Sequence, residues 1–172
     1  MNHDLPLGSR SNPSRWSRRL PLVGLALVGF GIATYLALYQ VGVFSRVWEP
    51  FFGNGSQVIL HSSVARLLPI PDAALGAFAY LFEAVSGLIG GRHRWHTLPW
   101  IVLLYGLTVG LLGAGSILLV VAQRAIFQAW CTLCLISAAI SISLVPLAID
   151  EPLATLRYRK RERVRRHSVP PA

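Results

Sequence analysis

Charge is what this 172-residue chain has least of: 13% of its residues are Asp, Glu, Lys or Arg, against 53% hydrophobic. Soluble domains carry roughly a quarter charged residues, so the composition excludes an ordinary water-soluble fold. Three long stretches lack charge altogether: Leu20 to Phe44, Leu98 to Ala122 and Ala125 to Ile149. Each meets the ~20 apolar residues needed to cross a hydrocarbon core. A fourth, Ala73 to Gly91, is shorter and is interrupted by one acid, Glu83. The pattern predicts an all-α integral membrane protein, a four-helix bundle over residues 20–149, between a basic segment at 1–19 and a basic tail at 150–172. The first run is longer than the ~7 to 15 residues of a signal-peptide core, and no small-x-small cleavage site follows it, so a retained helix is expected.

Acidic residues are also scarce, seven against sixteen basic ones, for a net charge of +9. The basic residues are unevenly placed. Four precede the first run (Arg10, Arg15, Arg18, Arg19), Arg92 and Arg94 lie between the second and third, and seven follow the fourth. The other side of the membrane would hold only Arg46, Arg66 and Arg124. The positive-inside rule then predicts a multi-pass protein of the cell membrane with both termini cytoplasmic. "RYRKRERVRRH" at 157–167 has neither the aromatic interleaving nor a module expected of a nucleic-acid binder. It reads as a segment that sets topology and attracts anionic headgroups of the lipid bilayer. Beyond Arg157 the composition is that of a disordered tail, although Leu153 to Arg166 can extend the fourth helix for a few turns.

Ser45 to Asp72, between the first two runs, is too long for a tight connection and makes a candidate functional loop on the extracytoplasmic side. It opens with Trp48, Phe51 and Phe52, residues suited to the headgroup level. "GNG" at 53–55 marks a turn, and "SQVILHSSVARLL" after it reads as a short interfacial helix that caps the bundle. In the third run Gly106, Gly110 and Ala114 form a small-residue row expected to pack against a neighbouring helix.

Cysteine is the scarcest reactive residue, with two in the chain, Cys131 and Cys134. Both fall near the start of the fourth run, on the predicted oxidising side. Residues i and i+3 of a helix share a face with Cα atoms ~5 Å apart, inside the disulfide window. The positive end of the helix favours the thiolate, more so for Cys131 than for Cys134. Covalent haem attachment needs His where Leu135 stands, and a zinc shell would need more than the nearby His61. No metal is expected. A redox pair is the favoured reading, with incidental packing of two small residues as the alternative. Such a pair exchanges with a partner thiol through a mixed disulfide. With no glycine motif for a flavin or nicotinamide, the electron acceptor suited to an apolar pocket is a quinone.

"AQRAIFQAWCTLCLIS" resembles the fourth-helix motif of the vitamin K epoxide reductase family. "LLPIPDAALGAFAYL" at 67–81 resembles its stretch leading into the second helix, and "SQVILHSS" at 56–63 its segment just before. The resemblance implies a four-helix bundle around a quinone, ubiquinone or menaquinone, that reoxidises an extracytoplasmic thioredoxin-like protein. It implies that Cys134 faces the quinone, that Cys131 exchanges with the thiol donor, and that Ser62 and Asp72 lie where the quinone carbonyl is bound. Trp130 is a further candidate for stacking on the ring. Family members usually carry two loop cysteines that relay electrons. This loop has none, and Ser56 stands where the second is expected, so either a separate protein approaches Cys131 directly, the favoured expectation, or the chain has lost oxidase turnover.

Glu83 sits mid-span, where an ionised side chain is costly and marks a candidate functional site. It can serve proton transfer during quinone reduction. It equally fits a small four-helix transporter or a non-catalytic scaffold with incidental cysteines, or a protonated side chain bonded to a neighbouring helix.

Overall fold

The computed structural model describes residues 14–61, 71–91 and 94–168, and every regular element among them is helical. In chain order these are α1 (Trp16–Gln40), α2 (Gly55–Leu60), α3 (Asp72–Leu88), α4 (Arg94–Thr97), α5 (Pro99–Ala125), α6 (Thr132–Ala148) and α7 (Asp150–Ser168). Three spans are long and apolar enough to cross a membrane: α1, α5, and α6 running on into α7. At 17 residues α3 is shorter than these.

α1 packs against α3, α3 against α5, α5 against α6, and α6 back against α1. The core they enclose is rich in small residues and holds two tyrosines, with Ala26, Ala33, Ala77, Ala84, Tyr80 and Tyr105 buried beside Val23, Val109 and Leu144. Large apolar side chains such as Leu111, Leu118 and Leu107 point outward and are well exposed. Lipid tails are as apolar as leucine, so close backbone approach, rather than burial of large side chains, holds such helices together. Gly29 of α1 lies under the Tyr80 ring, whose nearest atoms would be 2.5 Å from an added Cβ. Gly29→Ala should therefore separate α1 from α3 and cost about 1 to 3 kcal/mol, read as a lower midpoint in detergent unfolding followed by helical circular dichroism.

The expected glycine row on α5 is displaced. Gly106 packs on Pro152 and Gly113 on Val145, whereas Gly110 has nothing within 4 Å. Gly110 and Ala114 are exposed, because the packed face of α5 runs through Val102, Tyr105, Val109 and Gly113. The tail also differs from its composition. Ile149 keeps helical geometry between α6 and α7, and α7 continues to Ser168, so the extension of the fourth helix holds and the disordered tail does not begin at Arg157.

At the basic end, two guanidinium groups take up the carbonyls that α3 leaves unpaired at its C-terminus. Arg19 donates to Gly87 O, Ile89 O and Gly90 O, each at 2.8 Å. Arg94 donates to Ser86 O at 2.5 Å and Ile89 O at 3.1 Å. Arg94 also forms a two-pronged ion pair with Glu151 of α7, and Ser14 Oγ donates to the same carboxylate. Both partners of the ion pair are buried, with side chains 1% and 6% exposed.

Candidate functional site

Cys131 and Cys134 form a disulfide with Cα atoms 5.2 Å apart. The helix that carries them starts later than its apolar run suggests. α5 ends at Ala125, and residues 126–131 form a non-helical connection in which Gln128 takes a positive φ of 47°. Cys131 is thus the extended N-cap of α6 rather than a residue one or two turns inside it, and its Sγ accepts from the Cys134 N–H at 3.2 Å. Gln123 holds the connection: its backbone carbonyl accepts from Ala129 N at 3.2 Å, and its buried side-chain Oε1 accepts from Cys131 N at 3.2 Å.

The two sulfurs face different surroundings. Cys134 lines a small, partly open cavity between the helices. Its walls are mostly apolar, including Ala33, Leu36, Leu112 and Ala138, with Asp72, Tyr80, Ser116, Ser137 and Ser141 as the polar lining groups. Tyr80 Oη donates to Ser137 O at 2.7 Å and lies 2.5 Å from Ser141 Oγ. Asp72 begins α3 and is held by Gln40, whose Nε2 donates to Asp72 Oδ1 at 2.6 Å and to Leu60 O at 3.3 Å.

Cys131 is completely buried, and the loop contacts the residues on either side of it. Gly55 presses on the Trp130 peptide so closely that an added Cβ would lie 2.0 Å from the Trp130 carbonyl oxygen. The Glu49 carboxylate accepts from the Thr132 N–H at 3.1 Å and from the hydroxyls of Thr132 and Ser56. It therefore satisfies one of the orphan donors at the start of α6 and places negative charge at the positive helix end. Desolvation alone would raise its pKa, but hydrogen bonds from Ser56, Thr132 and the Phe52 backbone outweigh it and hold the carboxyl below its usual 4.5. A depressed folded pKa gives stability that is complete above the unfolded value and is lost as pH falls through the folded one. Hydrogen exchange at the Thr132 amide, corrected for its intrinsic rate, should accordingly show unchanged protection between pH 7 and about pH 5 and weaken only at more acid values.

The other sequence-selected residues divide. Asp72 shares the cavity with Cys134. Trp130 is not among the lining residues; its ring packs 6.4 Å from that of Phe52, on the loop side of the disulfide. Ser62 lies outside the described residues. Glu83 is buried, and neither carboxylate oxygen has a hydrogen-bond partner among the described residues. Glu49, Gln123, Tyr80, Ser137 and Ser141 went unselected. Glu49 did leave a signal, as one of only two acids between Ser45 and Asp72.

Apolar spans, a disulfide at the end of one of them and a cavity behind one of its sulfurs together define a membrane-embedded redox protein. Residues 20–149 match the vitamin K epoxide reductase family, and the chain belongs to that family. Membership makes it an oxidoreductase. No curated protein matches it.

Proposed function

We propose that the chain is a quinone-linked thiol–disulfide oxidoreductase that reoxidises an extracytoplasmic thioredoxin-like protein or the thiols of exported proteins. In this reading α1, α3, α5 and α6 form a four-helix transmembrane bundle with both termini cytoplasmic, supported by the positions in sequence of thirteen of the sixteen basic residues, before the first run, between the second and third, and after the fourth. The observation that carries the reading is the asymmetry of the disulfide, with Cys134 on the cavity and Cys131 fully buried between two residues, Trp130 and Thr132, that the loop contacts.

The cavity suits a quinone: apolar walls for a ring and isoprenoid tail, and polar groups for its carbonyls. A quinone bound there supplies the two-electron acceptor. The chain's own residues do the rest. A donor thiolate attacks Cys131 Sγ, the disulfide breaks, and Cys134 leaves as a thiolate. The donor's second thiol then displaces Cys131, so that the donor departs as a disulfide and the chain is left as a dithiol. Cys134, on the cavity side, passes two electrons onward as the Cys131–Cys134 bond reforms, and two protons accompany them. Asp72 and Ser62 are assigned to hold the acceptor's carbonyl, and preorganised donors there would stabilise developing negative charge. Glu83, three residues after Tyr80 on α3 and without a described partner, is assigned to hold a proton.

The unpartnered Glu83 carboxylate also favours a second reading, a small proton-coupled transporter with incidental cysteines. The two separate cleanly: in that case Glu83→Gln abolishes the phenotype while Cys131→Ala with Cys134→Ala leaves it intact.

The direct test is anaerobic. With the pair pre-reduced and the reductant removed, addition of a soluble quinone should consume two thiols for each quinone reduced. Thiols that persist across ubiquinone and menaquinone analogues would sink the oxidoreductase reading.

A further inference from the structure

Cys131, the sulfur to which the proposed cycle brings a donor, is completely buried. On either side of it, at the Trp130 peptide and at Thr132, the chain is contacted by a strap of loop. At its start, Trp48 N donates to Tyr35 Oη at 3.2 Å, and Val47 packs against the cluster of Leu36, Tyr39 and Leu60. At its end, Ile59 and Leu60 of α2 are buried. Between these anchors, every residue from Trp48 to Asn54 is exposed except Glu49, which is half-buried. Trp48 is 62% exposed and Phe51 76%. The side chain that turns inward from the strap is thus a carboxylate, and it meets α6 at the residue next to Cys131, through the Thr132 N–H and hydroxyl. The same carboxylate takes the Ser56 hydroxyl, tying α2 into the contact at the position where a relay cysteine would be expected.

We propose that Glu49 is a positioning residue that latches the loop over Cys131, so that a thiol donor reaches this sulfur only when the Glu49 contacts with Thr132 and Ser56 are released. The assignment rests on the reading of Cys131 as the entry point for electrons. A covalent link between loop and helix would hold the strap permanently, whereas hydrogen bonds to a carboxylate are strong enough to keep it closed and weak enough to open. Direct approach of a partner to a surface-accessible Cys131 is therefore replaced by a two-step entry, release of the loop followed by thiol exchange. Gly55 fits the same device, since its missing side chain lets the strap lie flat on the Trp130 peptide.

The test reads accessibility and needs neither quinone nor partner, so failure of the redox reading cannot mimic failure of the latch. In full-length protein carrying Cys134→Ser, the single thiol of Cys131 is labelled with a membrane-impermeant maleimide, with and without Glu49→Ala. Labelling should be slow in the first protein and rise roughly ten- to hundredfold in the second, as expected for losing one or two hydrogen bonds to a charged group. In the reciprocal Cys131→Ser background, where Cys134 reports on the cavity, Glu49→Ala should leave the rate within about twofold. Fast labelling of Cys131 with Glu49 intact, or no acceleration by Glu49→Ala, would overturn the latch. So would equal acceleration at both cysteines, which would place the effect in the bundle rather than the loop.

Discussion

Cys134→Ala should reduce quinone-dependent thiol oxidation to the uncatalysed background while leaving the helical content nearly unchanged and lowering the thermal midpoint no further than reduction of the disulfide does. The loss is complete rather than partial because a dithiol–disulfide couple needs both sulfurs: Cys131 alone cannot take up two electrons from a donor dithiol or release them through a reformed bond. Beyond the loss of the disulfide the structural cost is small, because Cys134 is half-buried on a cavity wall rather than packed in a close-fitting core. Cys131→Ala should abolish turnover as well, but it removes the Sγ that accepts the Cys134 N–H at the N-cap of α6, with a further cost of about 1 kcal/mol. The pair of variants thus separates chemistry from stability. Anaerobic assays with a small dithiol donor and a soluble quinone supply the first readout, and thermal unfolding the second. Residual turnover above about a tenth of wild type in Cys134→Ala would refute its assigned role.

The largest effect on stability is expected at the other end of the bundle. Arg94→Ala should destabilise the folded state by about 3 to 5 kcal/mol, the cost of leaving one partner of a buried ion pair uncompensated. Glu151 would lose both prongs of its pair. The Ser86 and Ile89 carbonyls would lose donors at the end of α3, and the contact of the guanidinium with the Tyr105 ring, 5.6 Å from its centroid, would go as well. Replacing both charges, Arg94→Leu with Glu151→Leu, removes the orphaned carboxylate and should recover part of the loss. A double variant no more stable than Arg94→Ala would show that the carbonyl contacts, rather than the ion pair, dominate. Equilibrium unfolding in mild detergent decides between them.

Residues that announce themselves by type or period were legible before any coordinates. The charge-free runs located the long helices to within a few residues at most ends, and the two cysteines at i, i+3 spacing gave the disulfide. The start of α6 was not legible. Residues 125–131 are uncharged, apolar except for Gln128, and lack Gly or Pro, so no breaker residue marks the turn at Gln128 that makes Cys131 a cap. The roles of Arg19, Arg94 and Glu151 were hidden for a different reason. As charges near helix ends they satisfy a rule about membrane orientation, and that rule does not reveal that the same groups fold back into the protein to bind carbonyls. Glu49 is a long-range case: its partner Thr132 lies 83 positions away in sequence, and no local pattern encodes such a contact.

The short α3 carries a consequence for the surrounding lipid. Its 17 residues rise about 25 Å, some 5 Å less than a typical hydrocarbon core. As a span of the proposed bundle it ends early, and Arg19 and Arg94 meet its last carbonyls at that depth. The bilayer beside α3 must thin, or the helix must sit low in it, and the mismatch costs a fraction of a kcal/mol per ångström. In that reading the folded state is most stable where acyl chains are short, and lengthening them should pull the polar floor of the bundle away from the headgroups.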